Sequence, residues 1–232
     1  LRIDKRVPVG AGLGGGSSDA GAVLRALAEL FPGALATAQL EEIALALGAD
    51  VPFFLDPKPA RVTGIGERRE PVSGLRSLAL LLANPGLALA TADVFRAYAA
   101  IRPALGSRSA PAPASRSRSA ADSLASTAGD VEPGESSRPL EAPAPATLSE
   151  LAGLPGLSLE NDLEPIAVRL CPPIARLQRQ LRALGARAVG MSGSGATVFG
   201  VFESESAAQR ALEKAAFEPP IWARVASTRE SR

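Results

Sequence analysis

Pro8-Val9-Gly10-Ala11-Gly12-Leu13-Gly14-Gly15-Gly16-Ser17-Ser18-Asp19 is a glycine-rich loop running straight into an amphipathic helix. Glycines let a backbone approach an anion closely, and the free N–H groups of a helix start add hydrogen bonds and a favourable dipole. The stretch therefore reads as a phosphate cradle, because a flexible spacer has no reason to end in a capped helix. Two other glycine patterns are set aside. Gly10, Gly12 and Gly15 satisfy G-x-G-x-x-G, but the dinucleotide fingerprint also needs a preceding strand and an acidic residue about 20 positions further on. Arg2 to Val9 is a candidate strand, yet Glu29 falls inside the helix. No Gly-Lys-Ser or Gly-Lys-Thr is present, so the loop is not a Walker-type P-loop.

Outward from the loop, helix and strand signals alternate. Ser17, Ser18 and Asp19 are N-cap types ahead of a helix through Phe31, with Val23, Leu27, Leu30 and Phe31 on one face. Thr37 is the expected cap of a second helix that places Leu40, Ile43, Ala44 and Leu47 at helical spacing and stops at Gly48. Arg61 to Ile65 and Leu78 to Ala83 read as strands, the second so apolar that a central place is expected. Asn161 to Leu170 and Ile174 to Leu184 read as helices divided by Pro172 and Pro173 and closed by Gly185. Strands over Ala186 to Met191 and Thr197 to Phe202 flank a Ser-Gly-Ser-Gly turn; a helix over Glu205 to Ala216 and a strand near Trp222 to Ala226 follow. Ala104 to Ser149 is rich in Ala, Ser, Pro and Arg, then in Asp and Glu, and has no aromatic residue, so it reads as a disordered insertion.

Composition narrows the chemistry. The 232 residues are 46% apolar, enough for a buried core, and 25 Lys plus Arg nearly cancel 24 Asp plus Glu. No global field would draw this chain to nucleic acid or to an anionic membrane, which favours a small-molecule partner. Histidine is absent, which excludes Ser-His-Asp and Cys-His hydrolysis and leaves Asp, Glu, Lys or Tyr to accept a proton. The single cysteine, Cys171, excludes an internal disulfide and a multi-cysteine zinc site, agrees with a reducing cytoplasm, and reads as a core residue. No apolar run has the roughly 18 to 20 residues of a membrane span, and no signal peptide opens the chain. The chain begins at Leu1 rather than Met, inside what reads as a structured segment, so an incomplete sequence is expected.

The loop resembles the GHMP kinase signature Pro-x-x-x-Gly-Leu-Gly-x-Ser-Ser, and its Gly-Leu-Gly-Gly-Gly-Ser-Ser form resembles the diphosphocytidyl-methylerythritol branch of that family. The resemblance continues in order through Leu47-Gly48-Ala49-Asp50-Val51-Pro52-Phe53-Phe54, Gly64-Ile65-Gly66-Glu67, Thr91 to Phe95, Asn161-Asp162-Leu163-Glu164 and Met191-Ser192-Gly193-Ser194-Gly195. It implies an α+β protein in two parts. Residues 1–75 would form an incomplete ATP-binding domain like domain 2 of ribosomal protein S5, and residues 76–232 a ferredoxin-like domain interrupted at 104–149, with the active site in the cleft between them.

The same resemblance implies a kinase using ATP and Mg²⁺, with the metal ligands unassigned. Asp50 falls where the family has its catalytic aspartate, a sensible place for a carboxylate, since an alcohol must lose its proton as it attacks the γ-phosphorus. Pro8 to Ser18 would hold the phosphates, with Ser17 and Ser18 as hydrogen-bond donors, and Ser192, Gly193, Ser194 and Gly195 would shape the phosphate region. Without the resemblance, the latter four residues read as a hairpin turn. Thr91 and Phe95 correspond to substrate-binding positions, Phe95 to an aromatic that stacks on cytosine; a core aromatic on a short helix is the competing reading. Gly66 and Glu67 read as a structural turn. The family also carries a catalytic lysine and part of the cytidine pocket in strands ahead of the first residue given; Lys5 only flanks the loop and is not assigned that role. The implied substrate is the cytidine diphosphate-linked methylerythritol of the non-mevalonate isoprenoid route. Another GHMP kinase, of the homoserine or mevalonate type, and a non-catalytic binding module are the alternatives.

Overall fold

The computed structural model describes residues 2–64, 66, 68–101 and 159–228; the expected insertion at 104–149 lies outside them. Helix α1 (Gly15–Leu30) starts on Gly14, whose φ of 64° turns the chain into the helix without a side-chain cap. Ser17, Ser18 and Asp19 are therefore not caps but members of the first turn, where the Ser18 N–H already donates to the Gly14 carbonyl at 2.8 Å. The buried face also differs from the expected one. Leu27, Leu30 and Phe31 are exposed, whereas Gly21 and Leu24 are buried. The cause is a close approach: a 3-10 turn (Pro52–Leu55) crosses α1 with Phe54 seated on Gly21, where an added Cβ would lie 2.5 Å from the Phe54 Cβ.

Helix α2 (Thr37–Leu47) has Thr37 as its first residue, not as its cap; the Ala36 N–H instead donates to Gln39 Oε1 at 2.9 Å. Ala44 and Leu40 pack with Leu24 and Val51 into a small core, while Ile43 and Leu47 are exposed and Gly48 ends the helix as expected. Strands β1 (Ala60–Thr63) and β2 (Arg68–Pro71) then form an antiparallel hairpin with Ala60 opposite Pro71 and Thr63 opposite Arg68. The strand expected to reach Ile65 ends at Thr63, because Gly64 at φ 72° begins the turn. Arg2 to Val9 is not a strand: it belongs to neither described sheet.

The rest builds on a four-stranded sheet. In chain order its elements are β3 (Ala79–Asn84), α3 (Thr91–Ile101), α4 (Glu164–Leu170), α5 (Pro173–Ala183), β4 (Ala188–Met191), β5 (Val198–Phe202), α6 (Glu205–Ala215) and β6 (Trp222–Ser227). Their spatial order is β4-β5-β3-β6 and every pair is antiparallel, the ferredoxin-like arrangement. β3 holds an inner place, as its apolar run requires. Helices α5 and α6 pack on the sheet, burying Leu81, Ile174, Leu177, Leu181 and Val198; each such side chain contributes on the order of 1.5–3 kcal/mol. Helix α4 starts at Glu164 rather than Asn161, which leaves the Asn161 side chain outside the helix and available for the turn described below.

The sheet also delivers one end of the molecule to the other. At the end of β3 the buried Asn84 donates through Nδ2 to Thr197 Oγ1 at 2.9 Å, beside the start of β5. The Thr197 N–H in turn donates to the Ala11 carbonyl of the glycine loop at 3.2 Å.

Candidate active site

The loop Pro8 to Ser18 and the turn Ser192 to Gly195, far apart in sequence, are locked together. Ser192 Oγ donates to the Gly12 carbonyl at 2.8 Å. Gly12 has φ 73°, and a Cβ there would lie 2.4 Å from the Ser192 carbonyl oxygen and 2.7 Å from that of Gly195. Only glycine permits this crossing of two backbones. On the other side the loop is open: a Cβ at Gly10 or Gly16 would meet no atom within 4 Å. The first N–H groups of α1 have no carbonyl one turn back to bond, so they face this space with the positive end of a 16-residue helix behind them. Beside it Lys5 is held in an ion pair, its Nζ 2.5 Å from Asp19 Oδ2 and close to Gly15. An open glycine loop that ends in free helix-start amides suits an oligophosphate.

The Ser192 to Gly195 turn is braced from two helices. Asn161 Nδ2 donates to the Met191 carbonyl at 3.0 Å and the Gly193 carbonyl at 2.8 Å, while Asn161 Oδ1 accepts the Leu163 N–H. The Glu164 carboxylate accepts the Met191 N–H at 3.1 Å. Thr91, at the start of α3, shares a 2.9 Å hydrogen bond between its hydroxyl and that of buried Ser194. From sequence the Asn161 to Glu164 stretch is a helix start and part of the resemblance; its bracing role depends on a contact about 30 residues distant that no local pattern announces.

Asp50 lies in the turn that links α2 to the 3-10 segment, where the Val51 N–H donates to the Gly48 carbonyl at 3.0 Å. Its carboxylate is exposed. Four residues on, Phe54 lies against Gly14, 3.2 Å from where a Cβ would stand, so the segment bearing Asp50 docks at the head of α1. Phe95 is 53% exposed on α3, which overturns its reading as a core aromatic. Cys171 is the expected core residue: it is buried, and desolvation pushes its thiol above the ordinary 9.0, with a backbone hydrogen bond from Ile174 pulling the other way. Among the described residues no group of three or more Cys, Asp or Glu side chains gathers as a metal centre.

Two family models match the chain, described as GHMP kinases N terminal domain, over residues 1–56, and GHMP kinases C terminal, over residues 140–220. A protein of Chelativorans sp. (strain BNC1) named 4-diphosphocytidyl-2-C-methyl-D-erythritol kinase is 39% identical across 100% of this chain and 68% of its own length. The chain belongs to the GHMP kinase family. A second relative of the same name, from Citrifermentans bemidjiense, is 39% identical across 93% of this chain and 64% of its own length, so this GHMP kinase chain spans about two thirds of such relatives. A crystal structure of 4-(cytidine 5'-diphospho)-2C-methyl-D-erythritol kinase superposes with a TM-score of 0.66 at 37% identity, covering 96% of this chain and 68% of that one. A homoserine kinase from Cytophaga hutchinsonii covers 98% of this chain and 68% of its own at TM-score 0.56, and the L. major mevalonate kinase 94% and 66% at 0.54. Both are 15% identical and share the GHMP kinase fold alone.

Proposed function

We propose that the whole protein is an ATP-dependent kinase that phosphorylates the 2-hydroxyl of 4-diphosphocytidyl-2-C-methyl-D-erythritol, a step toward isoprenoid precursors. The observation that carries this reading is the crossing of Gly12 with the Ser192 to Gly195 turn at the head of α1, which builds a phosphate cradle from both ends of the chain. Relatives named for this reaction support the choice of substrate over the homoserine and mevalonate types. The division into an ATP-binding part, 1–75, and a C-terminal part, 76–232, goes with the same reading.

The geometry supports these roles. Backbone N–H groups at Gly15 to Ser17 hold phosphate oxygens, with Ser17 and Ser18 hydroxyls as further donors. Ser192 fixes the loop from behind through Gly12, and Thr91 fixes Ser194. Asp50, exposed four residues ahead of the Phe54 that lies against Gly14, orients the attacking hydroxyl and takes its proton. Phe95 offers a solvent-facing ring on which the cytosine stacks. Mg²⁺, when bound, would neutralise charge on the transferring phosphoryl group.

The test is phosphoryl transfer from MgATP by the full-length protein against a panel of the cytidine diphosphate-linked alcohol, homoserine and mevalonate, with Asp50→Asn alongside. Turnover with the first alcohol alone is expected, and the variant should lose a factor on the order of 10² or more in turnover while ATP binding survives. Turnover of another alcohol only would sink the substrate assignment, and undiminished turnover in Asp50→Asn would sink the base assignment.

A further inference from the structure

An exposed carboxylate with no side-chain partner among the described residues takes its position from the backbone that carries it, and around Asp50 that backbone is gripped from one element. On the N-terminal side, Gly66 in the turn between β1 and β2 has φ 119° and lies so near that a Cβ there would stand 2.4 Å from the Ala49 carbonyl oxygen. On the C-terminal side, Arg69 of β2 donates from Nη1 to the Pro52 carbonyl at 2.6 Å. The same guanidinium donates from Nη2 to Glu41 Oε1 on α2 at 2.8 Å, and its side chain is only 22% exposed. Between the two grips, Val51 is buried at 2% exposure beside Leu24 and Ala44. The hairpin therefore touches the residue before Asp50 and the second residue after it, while Arg69 ties that stretch to α2.

From this arrangement we infer that the β1–β2 hairpin is a positioning device for the transferring site, and that Arg69 is the positioning residue that sets Asp50; the inference rests on the reading of Asp50 as the base. A guanidinium suits the task because its planar fork makes two directed bonds at once, one of them charge-assisted to a carboxylate, which a lysine ammonium on a flexible stem does not reproduce. Arg69 also borders a cavity of about 460 Å³ with Phe53 and Lys58 among its lining, which would suit an anion-binding arginine. Its terminal nitrogens are already engaged by Pro52 and Glu41, however, and Lys58 is paired with Asp56 at 2.9 Å, so the arginine is committed to the Asp50 segment.

Full-length Arg69→Met, Arg69→Lys, Asp50→Asn and the Arg69→Met/Asp50→Asn double variant separate the possibilities by steady-state kinetics with MgATP. Arg69→Met is expected to lower kcat about ten-fold with KM for ATP unchanged within about two-fold, and Arg69→Lys to fall between it and the parent. In the Asp50→Asn background the Arg69→Met factor should shrink below about two-fold, since there is no carboxylate left to misplace. An undiminished factor in that background, a KM for ATP that rises as much as kcat falls, or a Lys variant with parental kcat would overturn the inference. The base reading fails separately, if Asp50→Asn alone turns over normally. Amide exchange guards against general unfolding: the N–H groups of Val51 and Phe54 should exchange faster in both Arg69 variants while those of α1 stay protected, and a uniform acceleration would mark Arg69 as a scaffold residue only.

Discussion

Replacing Gly12 with alanine forces the two ends of the site apart by a distance readable from the structure. The added Cβ would begin 2.4 Å from the Ser192 carbonyl oxygen, and ordinary contact starts at 3.4 Å, so the loop or the turn must yield by about 1 Å. Both neighbours are backbone and the turn is already held by Asn161 and Glu164, so no side chain can swing away to absorb the shift. A displacement of that size at a reacting centre lowers turnover by a factor on the order of 10². Holding φ at 73° with a Cβ adds about 1–2 kcal/mol of strain. Gly33→Ala isolates the strain, because Gly33 has φ 81°, lies outside the site and has nothing within 4 Å of its Cβ position. Thermal unfolding and MgATP-dependent phosphoryl transfer, measured on both variants of the full-length protein, should therefore diverge. Both lose stability, but only Gly12→Ala loses turnover. Equal activities in the two variants would refute the claim that the crossing of loop and turn sets the catalytic geometry.

Asn161→Ala strips a donor from two carbonyls of the glycine turn and should cost about 1–3 kcal/mol in denaturant unfolding, with a raised KM for ATP; an unchanged KM would mean the turn keeps its shape unaided. Phe95→Ala should leave stability within about 0.5 kcal/mol, as befits a side chain 53% exposed, yet raise KM for the cytidine-bearing substrate about ten-fold, because a base–aromatic stack is worth about 1–3 kcal/mol. Unequal effects on ATP and the alcohol substrate are the signature to look for. Cys171 gives a pH test. Burial raises its thiol above 9.0, so the unfolded chain releases the proton first; the associated stability is intact below 9.0 and declines as pH rises through the folded value. Cys171→Ala should flatten that alkaline decline in urea titrations, and parallel declines in both proteins would contradict it.

The glycine loop was legible because its chemistry is local: spacing, φ freedom and a following helix all sit within a dozen residues. The sheet strands were legible for a similar reason, since the run at Leu80 to Ala83 is apolar enough to demand burial from both sides. What sequence missed depends on partners. Leu27, Leu30 and Phe31 follow helical spacing as well as Leu24 does, but periodicity cannot say which stripe a neighbour covers, and Phe54 settles it by lying on Gly21. Strand β2 escaped notice because Arg68-Arg69-Glu70-Pro71 has no apolar alternation and is defined by pairing with β1. The side-chain cap expected from Ser17 to Asp19 gave way to Gly14, whose left-handed backbone starts the helix three residues sooner. Around Asp50, type and motif were readable, whereas the grip of Arg69 on Pro52 joins residues 17 apart through a carbonyl that carries no sequence signal.

The bond from Ser192 Oγ to the Gly12 carbonyl closes a loop of 180 residues, and loop-closure entropy makes such a contact slow to form and unable to persist alone. The β3–β5 pairing fixes Thr197 where its N–H can reach the Ala11 carbonyl, so the contact between loop and turn leans on the sheet. A ligand that bound across loop and turn would stabilise the state in which both are docked, and would weld the two parts into a single cooperative unit against heat or urea.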